Sequence, residues 1–233
     1  MPRRRTSTDY VDTPAYTVAE VGRLLQLPPA TVRAWFFGMS NAKDRPFRQV
    51  LEPADSDHRL LSFGNLCEAH ILATIRREHK VSLPKVRDAL QRVAARGTAR
   101  PLLNQRFLVA PKGKLAVLEG DDVRIMDESE QLAFGALLRE AMTRIEWSDR
   151  QLPVRLFPPA TSVYASGGVE ARSVAIDPRI GFGRPILASA GVPTSVVRER
   201  FAGGDSIDDI AEDFGVGPPD IEEALRFEQR LAA

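Results

Sequence analysis

Thr31, Arg33, Arg45, Arg48 and Arg59 fall close together in the chain and share one kind of chemistry. A guanidinium forks onto phosphate oxygens or a guanine edge, and a threonine hydroxyl donates or accepts near a base. Such a set binds an anionic polymer; it does not make or break bonds. A single arginine is ordinarily a solvated surface charge, so the argument rests on the set. A second group, Arg155, Arg172, Arg179 and Arg184, lies in extended or loop segments further on. Each alone suits a local salt bridge, and together they are candidates for contacting a protein partner. Side chains that could do catalysis are sparse. The three histidines are His58, His70 and His79, and the last two stand nine apart rather than at the i, i+4 spacing of a helical ligand pair. Cys67 is the only cysteine and sits among apolar helix positions, where it packs as a small hydrophobe. No glycine-rich phosphate loop or nucleophile elbow appears, so no enzyme activity, metal or cofactor is expected.

Charge separates the two ends. The chain's net charge is +1. Residues 1–100 carry 17 Lys+Arg and 10 Asp+Glu, whereas the rest carries 15 and 21. The amino-terminal part therefore attracts phosphate backbones and the remainder repels them. With 43% hydrophobic residues, 233 positions can build two or three small cores. A single cysteine excludes a disulfide framework within one chain. No apolar run reaches membrane-spanning length, and no signal-peptide core follows the basic Pro2-Arg3-Arg4-Arg5, so a cytoplasmic location and no membrane partner are expected.

The elements that position the first set are legible. Thr17 and Glu20 form a capping-box pattern before Val18, Val21 and Leu24 or Leu25 at helical spacing. Leu27-Pro28-Pro29 ends that helix and opens another. Val32 and Trp35 turn inward, leaving Thr31, Arg33 and Ala34 nearer the outside. Two short helices and a small-residue outer face suit a major groove. Phe47–Leu51 and His58–Leu61 then read as two strands around a polar tip, a wing flanked by Arg45, Arg48 and Arg59. Ser62 caps a third helix carrying Leu66, Ala69, Ile71, Leu72 and Ile75. A fourth opens at Val81-Ser82-Leu83-Pro84, with Val86, Leu90 and Val93 on one face.

This order resembles the MerR family of winged helix-turn-helix regulators over residues 16–95. The matching stretches are Tyr16-Thr17-Val18-Ala19-Glu20-Val21, Thr31-Val32-Arg33-Ala34-Trp35, and Ile75-Arg76-Arg77 leading to Val81-Ser82-Leu83-Pro84-Lys85-Val86. The resemblance implies that the second helix and the wing touch DNA.

Beyond it, Arg106–Ala110, Leu115–Leu118 and Val123–Met126 read as short strands, Gln131–Ile145 as an amphipathic helix, and Val154–Pro159 as extended chain. Ala165-Ser166-Gly167-Gly168 reads as a linker. Glycines and prolines then punctuate Ile176-Asp177-Pro178-Arg179-Ile180-Gly181-Phe182-Gly183-Arg184-Pro185-Ile186-Leu187 into strand, turn and strand. Helices follow at Val196–Phe201, at Ile207–Phe214 capped by Ser206, and from Pro218-Pro219. The last two have helix-turn-helix spacing. Between Asp205 and Glu228, however, nine acidic residues face one basic residue, Arg226, which opposes phosphate binding. A dimerising or partner-binding unit is expected there.

The segment Ile176–Leu187 resembles a small bacterial domain found in antitoxins of toxin–antitoxin operons. Helix-turn-helix first and Phe-Gly-Arg-Pro last, the whole order resembles a larger VapB-type antitoxin. That resemblance implies a homodimer that represses its own operon through operator DNA and silences a PIN-domain ribonuclease toxin. A MerR-like transcriptional regulator answering a small organic effector is the alternative, with residues 100–170 as the place for the effector.

The expected fold class is α+β, mainly helical: an amino-terminal winged helix-turn-helix, a small mixed α/β middle segment and a carboxyl-terminal strand-plus-three-helix, homeodomain-like unit. The expected divisions are a disordered basic arm (1–15), the DNA-binding domain (16–97), the middle region and linker (98–168), and the antitoxin-associated domain (169–233).

Overall fold

A computed structural model describes residues 7–39, 47–79, 83, 86–87, 90–91, 100–103, 116–119, 122–125, 141–159 and 172–232. The chain divides into two compact units, Met1–Pro153 and Val154–Ala233.

In the first unit, order begins earlier than the basic arm expected over residues 1–15. Ser7–Asp12 is a helix, α1, with Val11 buried, and Pro14–Thr17 is a strand, β1. Thr17 then caps α2 (Val18–Leu25) through a complete capping box: the Glu20 amide donates to its hydroxyl at 3.2 Å, and its own amide donates to the Glu20 carboxylate at 2.7 Å. Gln26, in the left-handed region, closes α2. Pro28 and Pro29 start α3 (Pro29–Phe37), where the missing proline amides would have had no helical partner anyway. Val32, Trp35 and Phe36 are buried from α3 against α2, whose Val21, Leu24 and Leu25 are buried too.

The expected wing is rearranged. Phe47–Leu51 does not pair with His58–Leu61. Phe47 instead exchanges two 2.9 Å backbone hydrogen bonds with Met39, and the amides of Val50 and Leu51 donate to the Trp35 carbonyl at the end of α3. Leu60–Ser62 forms a strand, β2, antiparallel to β1, with Tyr16 opposite Leu61. Both of those side chains are buried, so apolar burial sets this pairing. The sequence pattern gave no strand at Pro14–Thr17, and without it β2 had no visible partner except the nearer segment.

Ser62 caps α4 (Phe63–His79) by accepting from the Asn65 amide at 3.2 Å. This helix is the axis of the unit. Leu66, Ala69, Ile71, Leu72 and Ile75 are fully buried, as are Phe63 and Cys67. Val86 and Leu90 of the fourth expected helix are buried as well, whereas Val93 lies outside the described residues. Pro101–Leu103 forms one 3₁₀ turn packed on α4.

Ala116–Glu119 and Asp122–Ile125, β3 and β4, form an antiparallel hairpin. The strand expected at Arg106–Ala110 and the linker at Ala165–Gly168 lie outside the described residues, as does most of the helix expected over Gln131–Ile145. At its described end, Ile145 has left the helix and opens a strand, β5 (Ile145–Trp147).

The second unit places β6 (Pro153–Leu156), β7 (Val174–Ile176) and β8 (Pro185–Leu187) side by side in that order. Three helices follow: α5 (Thr194–Ala202), α6 (Ile207–Phe214) and α7 (Pro218–Ala232). Ser206 caps α6 by accepting from the Asp209 amide, and Gly215, at φ 64°, ends it in the left-handed conformation that glycine adopts freely. Val197, Ile210, Ala211, Ile221, Ala224 and Phe227 make the helical core. Thr194 at the start of α5 donates to the buried Glu228 carboxylate of α7, tying the first and last helices together.

Candidate nucleic-acid interface and carboxyl-terminal arginine loop

Burial of one face of α3 dictates what its other face offers. With Val32, Trp35 and Phe36 inside, Arg33 is exposed and Thr31 is half-buried. The helix stops at Gly38, whose φ of 70° favours glycine, and a Cβ there would come within 2.6 Å of the Phe47 carbonyl. That close approach lets the chain leave α3 straight into the Met39–Phe47 pairing. Arg45 falls between those two residues, outside the described ones.

Arg48 is exposed at the base of this turn. Its carbonyl accepts from Arg87 Nη2 at 2.6 Å, the Gln49 carbonyl accepts from Arg87 Nε at 3.2 Å, and the Arg87 guanidinium lies 5.1 Å from the centre of the Phe47 ring. Arg87 thus clamps the backbone that presents Arg48, a residue that sequence reasoning missed. Its only advance signal was a cation beside the apolar face of the fourth helix.

Arg59 is exposed in a separate turn and adopts φ 55°. Asp55 shapes that turn, accepting from the His58 amide and, at 2.9 Å, pairing with the His58 ring. Those two contacts hold the Asp55 carboxyl below its usual range. Arg33 and Arg48 therefore belong to α3 and the turn that follows it, and Arg59 to a neighbouring turn. Of the other two histidines, His70 is buried with its Nε2 3.1 Å from the Ala141 carbonyl, a packing role. Burial pushes the Cys67 thiol far above its ordinary value, which makes it unreactive.

The same unit holds a charge cluster around buried Glu68 that the sequence did not announce. Arg100 Nη1 donates to Glu68 of α4 at 2.6 Å, its Nε to Asp12 of α1 at 2.8 Å and its Nη2 to Ser62 at 3.2 Å. Burial pushes the Glu68 carboxyl up to about 7, against the opposing pull of Arg100 and of the Asn65 amide. The same carboxylate borders a cavity of about 520 Å³, also lined by Arg87, Leu90, Arg100 and Leu102.

In the second unit, two of the four candidate arginines converge on one carboxylate. Asp177, wholly buried at the end of β7, accepts from the Arg179 amide at 2.9 Å, from its Nε at 2.9 Å and from its Nη2 at 2.6 Å. Arg155 of β6 reaches it at 3.6 Å. Burial alone would raise this carboxyl, but the Arg179 hydrogen bonds and the charges of Arg179 and Arg155 outweigh it and hold Asp177 below the usual carboxylate range. Arg172 lies 5.3 Å from the centre of the Phe157 ring, and Arg184 is exposed just before β8.

Two families match parts of the chain. Residues 14–90 match the family described as "Putative DNA-binding HTH domain", and residues 174–227 match one described as "Protein of unknown function (DUF433)". Both matched regions hold residues just described. Two proteins of Mycobacterium tuberculosis strain H37Rv are similar over nearly the full length. "Putative antitoxin VapB45" is 27% identical over 92% of this chain and 93% of its own. "Uncharacterized protein Rv2308" is 24% identical over 96% of this chain and 93% of its own. The crystal structure of Rv2018 from the same species shares the fold, with a TM-score of 0.60, 20% identity, and coverage of 92% of this chain and 98% of that one.

Proposed function

We propose that this chain is the antitoxin of a type II toxin–antitoxin operon: it binds operator DNA with its first unit and holds a PIN-domain ribonuclease with its second. The observation that carries the reading is the joint one, a match to a DNA-binding helix-turn-helix family at one end of a chain similar over nearly its whole length to a protein named as an antitoxin. The charge split supports the division of labour, since phosphate affinity comes from cations and the acidic second unit lacks a surplus of them. In this reading α3 enters the major groove in the MerR manner, with Thr31 and Arg33 nearest the bases and Arg45, Arg48 and Arg59 on the backbone. The three helices of the second unit form a homeodomain-like arrangement reused for self-association, and the protein acts as a homodimeric repressor in the cytoplasm. Arg155 and Arg179 support the partner surface through Asp177, Arg172 supports it from its place over the Phe157 ring, and exposed Arg184 meets the partner directly.

Co-expression with the nuclease encoded beside it tests the reading. A stable complex that suppresses RNA cleavage and shifts the promoter DNA of the operon is the expected result. A chain that binds neither would refute it.

The cavity beside Glu68 and Arg100 favours a second reading, a MerR-like regulator answering a small organic effector, with the effector held in the first unit. An efflux-pump gene in place of a nuclease gene next door, together with release of DNA on adding its substrate, would favour that reading.

A further inference from the structure

The loop joining β7 to β8 displays a single aromatic side chain in a conformation that protein folds ordinarily avoid. Phe182 is 95% exposed, against 45% for Met39 and 47% for Phe201, the other large exposed hydrophobics among the described residues. Its φ of 57° and ψ of 32° lie in the left-handed region, which disfavours a side chain with a Cβ. Gly181 and Gly183, at φ 56° and 74°, flank it. The chain thus turns left-handed at three successive residues and lifts the ring into solvent.

The loop is nonetheless built firmly. The Ile180 amide donates to the Asp177 carbonyl at 3.1 Å, the Gly183 amide to the Ile180 carbonyl at 3.1 Å and the Arg184 amide to the Gly181 carbonyl at 3.1 Å. Ile180 packs on the core of Phe157, Ala175 and Ile186, and buried Asp177 grips Arg179 through side chain and backbone. Nothing in packing or hydrogen bonding asks for phenylalanine at position 182, where glycine would be unstrained. A rigid exposed aromatic loses little freedom on binding and commonly anchors an interface.

Charge selects the class of partner. Arg179 is held by Asp177 and Arg198 lies 3.7 Å from Glu228, so the exposed cation beside Phe182 is Arg184, on a unit that holds eight arginines against twelve acidic residues. An exposed aromatic ring with one arginine beside it, on an acidic body, fits a protein surface better than a polyphosphate, which the body would repel.

We infer that Phe182 is the anchor of the toxin-binding surface, seated in an apolar pocket of the partner protein whose rim carries a carboxylate facing Arg184. This rests on the reading that the second unit holds a protein partner. The experiment uses the full chain and the nuclease encoded beside it, with affinity measured by titration calorimetry for wild type, Phe182→Ala and Phe182→Gly. Both variants should bind about thirtyfold or more weakly, and Phe182→Gly should melt no lower than wild type because the left-handed strain is relieved. Arg184→Glu should also weaken binding, chiefly by slowing association.

If wild type does not bind the nuclease, the proposed function fails and this inference falls with it. If wild type binds and both Phe182 variants bind equally well, the inference alone is overturned. It is overturned too if Phe182→Ala leaves nuclease affinity intact but dissociates a dimer of the free chain, or weakens binding to promoter DNA. Those outcomes would assign the ring to a second copy or to DNA.

Discussion

Glu68 and Asp177 are both buried carboxylates paired with arginine, yet their environments push them in opposite directions. Asp177 takes three hydrogen bonds from Arg179, a residue two positions away and half exposed, and feels Arg155 besides. Glu68 takes one from Arg100 and one from Asn65, within the stretch 63–73 of α4 whose residues are all buried. Several donors within one tight turn compensate desolvation; one ion pair and one amide do not. The first unit therefore stores an unfavourable charge at its centre, whereas the second uses its charge to brace a loop. That loop carries Phe182, and the strain of the second unit sits at its surface rather than in its core.

Removing the brace has the largest expected effect. Asp177→Ala removes the acceptor of three hydrogen bonds from Arg179; hydrogen bonds to charged groups are worth about 1.5–3 kcal/mol each, and the half exposure of Arg179 cuts their sum to about 3 kcal/mol. A separate, earlier melting transition of the second unit should appear in calorimetry. A melt identical to wild type would show that Asp177 does not hold the loop.

Next is the pH dependence of the first unit. The folded Glu68 carboxyl titrates at about 7, above its ordinary 4.5. Between those values the folded state binds the extra proton, so stability is higher at the acid side and falls as pH rises from about 4.5 to 7. The difference is on the order of 3 kcal/mol, from about 1.4 kcal/mol per pH unit. Glu68→Gln should flatten this slope in denaturant titrations between pH 5 and 8. An unchanged slope would mean that Arg100 keeps Glu68 charged throughout, and the contrast between the two carboxylates would vanish.

Gly38→Ala should destabilise the first unit by about 1–3 kcal/mol, since it meets both a left-handed φ and the Phe47 carbonyl. It should also lower DNA affinity by displacing the turn that carries Arg48. Thr17→Ala should cost about 1 kcal/mol by removing one side of the capping box, with no effect on the melting of the second unit.

Local rules made much of this legible. The Thr17–Glu20 box, the Pro28-Pro29 start, the Ser62 and Ser206 caps and the buried faces of α3 and α4 follow from residue types at fixed short spacings. Pairing between distant segments does not. β2 finds β1 across the helix-turn-helix, and nothing in Pro14–Thr17 marks it as a strand. The nearer segment Phe47–Leu51 therefore looked like the partner of His58–Leu61. The arginine sets were visible, but not the asymmetry within them. Arg155 and Arg179 turn toward Asp177, while Arg33, Arg48 and Arg59 stay exposed on elements that the spacing partly misplaced. Arg87, Arg100 and the exposure of Phe182 depend on tertiary contacts, so no period or motif announces them.

The central claim is that the two units act on different macromolecules. The most direct test is a crossed pair of single variants of the full chain, Arg33→Ala and Phe182→Ala, each assayed against promoter DNA, random DNA and the nuclease proposed as its partner. Wild-type DNA binding should weaken steeply with salt, by roughly 0.9 in the log–log slope for each phosphate neutralised. Arg33→Ala should lose discrimination between promoter and random DNA while keeping the nuclease complex. Phe182→Ala should lose the nuclease while keeping DNA affinity and its salt slope. A variant that loses both partners together, or an Arg33→Ala chain that still prefers the promoter as strongly as wild type, would contradict the account.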